Sequence, residues 1–229
     1  MPIQLNRQDD VFILTMDDGE NRMNRVWLDA MNHALDEVDA APGSKALVTT
    51  GSGKFYSNGL DLERLVASGE AEMAAFVADD ERLFARLITT PYITVAACNG
   101  HTFAAGAMLA LCHDFRVMRE DRGYFCLPEV DLGIPFSLGM DALIKRRLPQ
   151  AVAHEAMVTG TRYGGAAAAS KGIVTEATSE DQVLPTAVAM AAALAQKAGP
   201  TMATIKSRMY ADLIELLSNS PGTSVPEVP

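Results

Sequence analysis

The sequence predicts an α/β fold in which strand–turn–helix units repeat through the first part of the chain and a layer of helices follows. Three observations carry this. The β-like runs 11–16, 46–50 and 92–97 each precede, across a turn, a stretch with helical periodicity. From Ser137 onward the order changes and the segments read as helices. No Pro-, Ser- or Gly-rich linker divides the 229 residues before the last dozen positions, so one domain is expected over 1–217, with its core about 1–160 and its helical layer about 161–217.

Leu5 and the run 11–16 read as an opening hairpin, after which Trp27, Met31, Leu35 and Val38 recur at helical spacing until Pro42-Gly43 stops the pattern. The run 46–50 is a buried strand ending at the Gly51-Ser52-Gly53 turn. Leu83, Phe84, Leu87 and Ile88 mark the inner face of a helix broken by Pro91, and 92–97 is the next strand. An apolar helix is expected near 106–111, then short strands at 115–118 and 123–126. Helices follow at 138–148 and 149–158, in an Ala-rich segment ending at Lys171-Gly172, and as two long helices separated by Gly199-Pro200. Residues 218–229 are turn formers without periodicity and are expected to be mobile.

Composition narrows the function. With 19 Lys and Arg against 29 Asp and Glu, a formal charge of −10 argues against nucleic acid as a partner. Cys98, Cys112 and Cys126 lack C-x-x-C spacing and are expected as packed thiols in a reducing compartment. The start of the chain lacks a signal-peptide pattern and no apolar run approaches membrane-spanning length, so a soluble, cytoplasmic protein without a membrane partner is expected. His33, His101, His113 and His154 show no metal-ligand spacing, and no Gly-x-Ser-x-Gly supplies a hydrolase nucleophile. Gly51-Ser52-Gly53-Lys54 lacks the upstream glycine of a phosphate loop, and Phe55 replaces its hydroxyl.

Two turns carry the chemistry. Gly53-Lys54-Phe55-Tyr56-Ser57-Asn58-Gly59-Leu60-Asp61-Leu62 and Asn99-Gly100-His101-Thr102-Phe103-Ala104-Ala105-Gly106-Ala107-Met108 each follow a β-like run and lead into an apolar or amphipathic stretch. Each is able to present free backbone N–H groups at a helix N-terminus, and two such turns make a candidate oxyanion hole. Read from the residues alone, a pair of Gly-containing strand-to-helix turns is more often plain connection. Likewise Glu129 and Asp131 read as solvated loop carboxylates, and Met108 as helix core.

The quoted turns, with His113-Asp114-Phe115-Arg116-Val117-Met118-Arg119 and Glu129-Val130-Asp131-Leu132-Gly133-Ile134-Pro135, resemble the enoyl-CoA hydratase/isomerase (crotonase) superfamily over most of the chain, and within it the plant-type monofunctional 3,2-enoyl-CoA isomerases. The resemblance implies the ClpP/crotonase-like spiral of repeated β-β-α units with a helical C-terminal layer, assembled as a homotrimer or a dimer of trimers. It implies an acyl-CoA thioester substrate, with coenzyme A as part of the substrate and no metal or redox cofactor. The backbone N–H groups of Leu60 and Ala105 would form the hole and Glu129 would be the general base. Many relatives carry glycine where Ala105 stands, and its Cβ would narrow the backbone angles there. Hydratases of the superfamily carry a second glutamate where this chain has Met108, and one carboxylate suffices to move a double bond but not to add water. Binding of the coenzyme is expected along Ser57, Asn58, Gly59, Asp61 and Leu62, with Arg22, Arg25 or Lys206 meeting phosphates. Met108, Leu132, Ile134, Phe136 and Phe84 are candidate acyl-pocket lining or plain core. The reaction implied is conversion of a 3-enoyl-CoA to a 2-trans-enoyl-CoA in fatty-acid β-oxidation; the alternatives are hydration or another crotonase-type reaction, or silent acyl-CoA binding.

Overall fold

A computed structural model describes residues 2–221. In chain order its strands are β1 (Ile3–Gln8), β2 (Val11–Met16), β3 (Ala46–Gly51), β4 (Phe55–Ser57), β5 (Ile93–Cys98), β6 (His101–Phe103), β7 (Phe115–Arg119), β8 (Phe125–Cys126) and β9 (Glu176–Thr178). They form a six-stranded sheet in the order β1-β2-β3-β5-β7-β9 and a three-stranded sheet in the order β4-β6-β8. β1 and β2 are antiparallel, joined by the expected hairpin, and every other pairing is parallel.

The helices are α1 (Arg25–Ala40), α2 (Leu62–Ser68), α3 (Glu70–Ile88), α4 (Ala105–Leu111), α5 (Glu129–Leu132), α6 (Leu138–Arg147), α7 (Gln150–Thr159), α8 (Gly165–Ser170), α9 (Glu180–Ala192), α10 (Pro200–Met209) and α11 (Ala211–Ser218). None among the described residues is long and apolar enough to cross a membrane. α1 starts where Asn24 accepts a hydrogen bond from the Trp27 N–H, and its buried face is Trp27, Met31, Leu35 and Val38.

Because parallel strands are covered on both faces, the period-2 alternation of the large sheet feeds two cores. Leu47, Ala96 and Cys98 face the larger one with α1, α3 and α4. Ala46, Val48, Val95 and Ala97 face a smaller one closed by Val183, Ala187 and Ala191 of α9. The three cysteines are buried and free, as expected.

Several expectations need correction. β4, β6 and β9 were not anticipated, since three-residue strands rich in polar or turn-forming residues carry no measurable alternation. α2 begins at Leu62, where the turn at 53–62 is expected to lead into a helix N-terminus. The last expected long helix is two, because Tyr210 leaves helical geometry (φ −116°, ψ 20°) and its ring and hydroxyl take the Arg147 guanidinium. α11 reaches Ser218, within the expected mobile tail, whose residues 222–229 lie outside the described residues.

The small sheet positions everything that follows. Its adjacent parallel strands β4, β6 and β8 end at Ser57, Phe103 and Cys126, so the turns after them, at 58–61, 104–105 and 127–129, emerge side by side.

Candidate active site

Those three turns line a cavity of about 320 Å³. Asn58, Leu60 and Leu62 come from the first, Phe103, Ala104, Ala105 and Met108 from the second, and Pro128, Glu129 and Leu132 from the third. Ile134, Pro135, Phe136 and Met140 close the far wall, and Arg22 stands at the rim.

Leu60 and Ala105 both line this space, and among the described residues neither backbone N–H has a protein acceptor. The Gly59 carbonyl accepts from the Met23 N–H at 2.8 Å and the Asp61 N–H donates to the Met23 carbonyl at 2.9 Å. This parallel bridge uses the neighbours of Leu60 and turns its own N–H the other way. Ala105 is the first residue of α4, where a helix has no internal acceptor for its N–H. Glycines let the two turns interlock: a Cβ on Gly59 (φ +84°) would lie 3.1 Å from the Ala105 nitrogen, and one on Gly106 would lie 2.5 Å from the Ser57 carbonyl oxygen.

The backbone restriction expected at Ala105 falls one residue earlier. Ala105 is helical, whereas Ala104 adopts φ 50°, ψ −126°, a conformation a Cβ disfavours by about 1–3 kcal/mol. Its N–H is tied to the Cys126 carbonyl at 3.0 Å, and its carbonyl accepts from Ala107 and Met108, so both sides of the strained residue are held.

Glu129 opens α5 and is 7 % exposed. Its Oε2 has no hydrogen-bond partner, and burial pushes its carboxyl up to about 7. Gly133, in the left-handed region at φ +67°, reverses the chain and lets the Ile134 N–H bond the Glu129 carbonyl at 3.0 Å. That reversal brings Leu132, Ile134 and Phe136 around the carboxyl, and Met108 contributes a buried thioether to the same lining. Among the described residues Glu129 is the sole carboxyl lining this cavity.

Other expected site residues lie elsewhere. Ser57 is buried, donating to the Asn21 carbonyl at 2.7 Å and accepting from the Gly59 N–H, so it shapes the turn. Asp61 caps α2 and pairs with Arg64 at 3.2 Å, while Gly59 serves as the contact between turns; neither lines the cavity. Arg25 is taken up by Asp79 at 2.5 Å and Glu72 at 3.2 Å. Lys206 is neither a phosphate ligand nor a surface lysine: it is 6 % exposed, with its Nζ on the Tyr92 carbonyl at 2.8 Å and Asp114 at 2.7 Å. Phe84 belongs to the large core. Arg22 remains at the rim, paired with Glu20, which also accepts from Asn58.

The sequence reading passed over Phe103, Ala104, Pro128, Pro135 and Met140. Phe103, Ala104 and Pro135 lie within the quoted motifs and Pro128 directly precedes one, so these were legible by adjacency; Met140 required the tertiary approach of α6. The described residues hold no cluster of three or more groups suited to a metal ion. His113 is buried between Thr49 and the Leu109 carbonyl, both at 2.9 Å, and desolvation pulls its imidazole down to about 4.

The two-sheet spiral and its three converging turns define a crotonase-fold protein, and comparison with solved structures agrees. A probable enoyl-CoA hydratase of Mycobacterium tuberculosis H37Rv superposes with a TM-score of 0.89 at 28% identity, over 96% of this chain and 93% of that one. The enoyl-CoA hydratase/isomerase family model matches residues 6–220, and the chain belongs to that family. Among curated relatives it is similar to enoyl-CoA delta isomerase 3 of Arabidopsis thaliana, at 32% identity over 96% of this chain and 98% of the relative. It is also similar to a putative enoyl-CoA hydratase of Thermus thermophilus, at 34% identity over 78% of this chain and 71% of the relative.

Proposed function

We propose that the protein is a 3,2-trans-enoyl-CoA isomerase acting in fatty-acid β-oxidation and assembled as a homotrimer or dimer of trimers. The observation that carries the reading is a single buried carboxyl, Glu129, in an apolar cavity also lined by Leu60 and Ala105, whose backbone N–H groups have no protein acceptor among the described residues. The thioester oxygen of a 3-enoyl-CoA accepts from Leu60 and Ala105, and Glu129 takes a proton from carbon 2. Negative charge moves onto the oxygen as a dienolate, and the N–H dipoles, already aimed, stabilise it without reorganisation. Protonated Glu129 then returns the proton to carbon 4, giving the 2-trans-enoyl-CoA.

Met108 supports isomerisation over hydration. Water addition needs one group to orient the nucleophile and another to deliver the proton, and the cavity supplies one carboxyl beside a thioether. Burial also suits the base: a carboxyl titrating near 7 is a far better proton acceptor than an ordinary glutamate. Asn58 and Leu62 border the pantetheine path, and Arg22 is the cation placed to meet a phosphate. The relatives named delta isomerases favour the same reading.

The test is to incubate the protein with trans-3-hexenoyl-CoA and separately with trans-2-hexenoyl-CoA, following thioester absorbance and product mass. Conjugation of the first without hydration of the second is expected, with Glu129→Gln slowing it by about 10²–10⁴. Hydration would overturn the role given to Met108. Full activity in Glu129→Gln would overturn the base, and binding of both esters with turnover of neither would leave a binding protein. Sedimentation velocity measures the assembly.

A further inference from the structure

The part of the cavity wall formed by Pro135 and Phe136 has a second side. Pro135 and Phe136 line the cavity and also a groove of about 760 Å³ between the start of α6 and α11. Beyond Phe136 the groove presents Leu138, 75 % exposed and the most open large apolar side chain among the described residues, and Leu216, 40 % exposed. With Leu132, half-exposed in the cavity lining, they continue one apolar track from the carboxyl out to α11.

This groove is built. Glu81, buried on α3, accepts a hydrogen bond from the Ser137 hydroxyl on one bank and bonds the Ser220 hydroxyl on the other. The two banks are thus anchored to one carboxylate, and Ser137 also caps α6 through the Met140 N–H at 3.0 Å. At Gly139 a Cβ would lie 2.9 Å from Leu217, so the glycine permits the close approach of α6 and α11 that forms the floor. The lining adds Asp212 and Glu215 but no cation, which disfavours an anionic headgroup there and leaves neutral hydrocarbon as the fitting ligand.

We infer that this groove takes the distal methylenes of a long fatty-acyl chain, so that the protein selects long-chain over short-chain acyl-CoA thioesters. The inference rests on the acyl-CoA reading above. The thioester and the first carbons occupy the cavity, the chain passes Phe136, and its tail lies on Leu138 and Leu216. Full burial of a methylene strengthens binding about fourfold, and a groove open on one side about half as much on the free-energy scale, or about twofold.

The test uses saturated octanoyl-CoA and tetradecanoyl-CoA, neither of which is turned over, in titration calorimetry below the micelle threshold of the longer ester. Tetradecanoyl-CoA is expected to bind at least about tenfold more tightly. Leu138→Asp, which places a carboxylate in the first turn of α6 where a helix tolerates it, and Leu216→Gln are each expected to remove most of that difference and leave octanoyl-CoA binding unchanged. Equal affinity for both lengths, or variants that weaken both alike, would overturn the inference and leave the isomerase reading intact. Binding of neither ester would overturn both. If the variants instead split an oligomer in size-exclusion chromatography without altering length preference, the groove is an interface between copies and the inference fails.

Discussion

At Glu129 and Asp80 burial is the largest influence on the carboxyl. Burial raises Glu129 to about 7, and as a general base it must be ionised. The kcat/KM for a 3-enoyl-CoA is therefore expected to rise with pH about tenfold per unit below 7 and to level above it; a profile flat down to pH 5 would contradict the assignment. Asp80, on α3, is completely buried with neither oxygen bonded, and burial, with the neighbouring Glu81, raises it to about 8. The folded state keeps that proton between about pH 4 and 8 while the unfolded state has released it, so stability falls as pH rises through that window. Asp80→Asn is expected to stabilise the protein on the order of 2–4 kcal/mol at pH 7 and hardly at all near pH 4. Chemical denaturation at the two pH values checks it, and a loss of stability at pH 7 would show that the carboxylate is wanted.

At the scale of elements, the site depends on how closely two turns approach. Gly106→Ala would drive a Cβ against the Ser57 carbonyl, separating the turns that carry the Leu60 and Ala105 N–H groups. A fall in kcat of about 10²–10³ is expected, the cost of one misplaced donor, with KM less affected. The buried and the half-exposed cation separate in the same way. Lys206→Met should destabilise by about 2–4 kcal/mol, because the Tyr92 carbonyl and Asp114 lose their partner, and should leave KM unchanged. Arg22→Gln should do the reverse, raising KM about three- to tenfold with little change in thermal midpoint. A KM effect at Lys206 would return it to the binding surface.

For the molecule as a whole, charge opposes its proposed ligand. The chain carries −10, and around the polar rim Asp18, Glu20 and Asp61 outnumber Arg22 and Arg64. Acyl-CoA is itself polyanionic, so long-range repulsion should slow encounter. Raising ionic strength from about 0.01 M to about 0.1 M shortens the Debye length from about 30 Å to about 10 Å, and kcat/KM is expected to rise. A steep fall with salt would mean that a cationic docking surface, absent from this rim, governs association.

Much of this protein was legible in its residues because the signals were local. Apolar periodicity marked α1, the long strands and the inner face of α3, and the likeness of short contiguous motifs to those of the crotonase family singled out Leu60, Ala105 and Glu129, all three of which line the cavity. These depend on neighbours within a few positions, and a sequence displays those directly. Whatever required distant segments to meet was decided by tertiary structure. Lys206 and Arg25 look alike as exposed helical cations, yet one is buried against Tyr92 and Asp114 and the other is held by Asp79 and Glu72. Ala104 rather than Ala105 takes the strained backbone because β8 fixes its N–H. β4 and β6 are too short to show a period, and become strands through pairing with each other and with β8. The same pairing aligns three turns on one cavity, a long-range arrangement that no single stretch of sequence encodes.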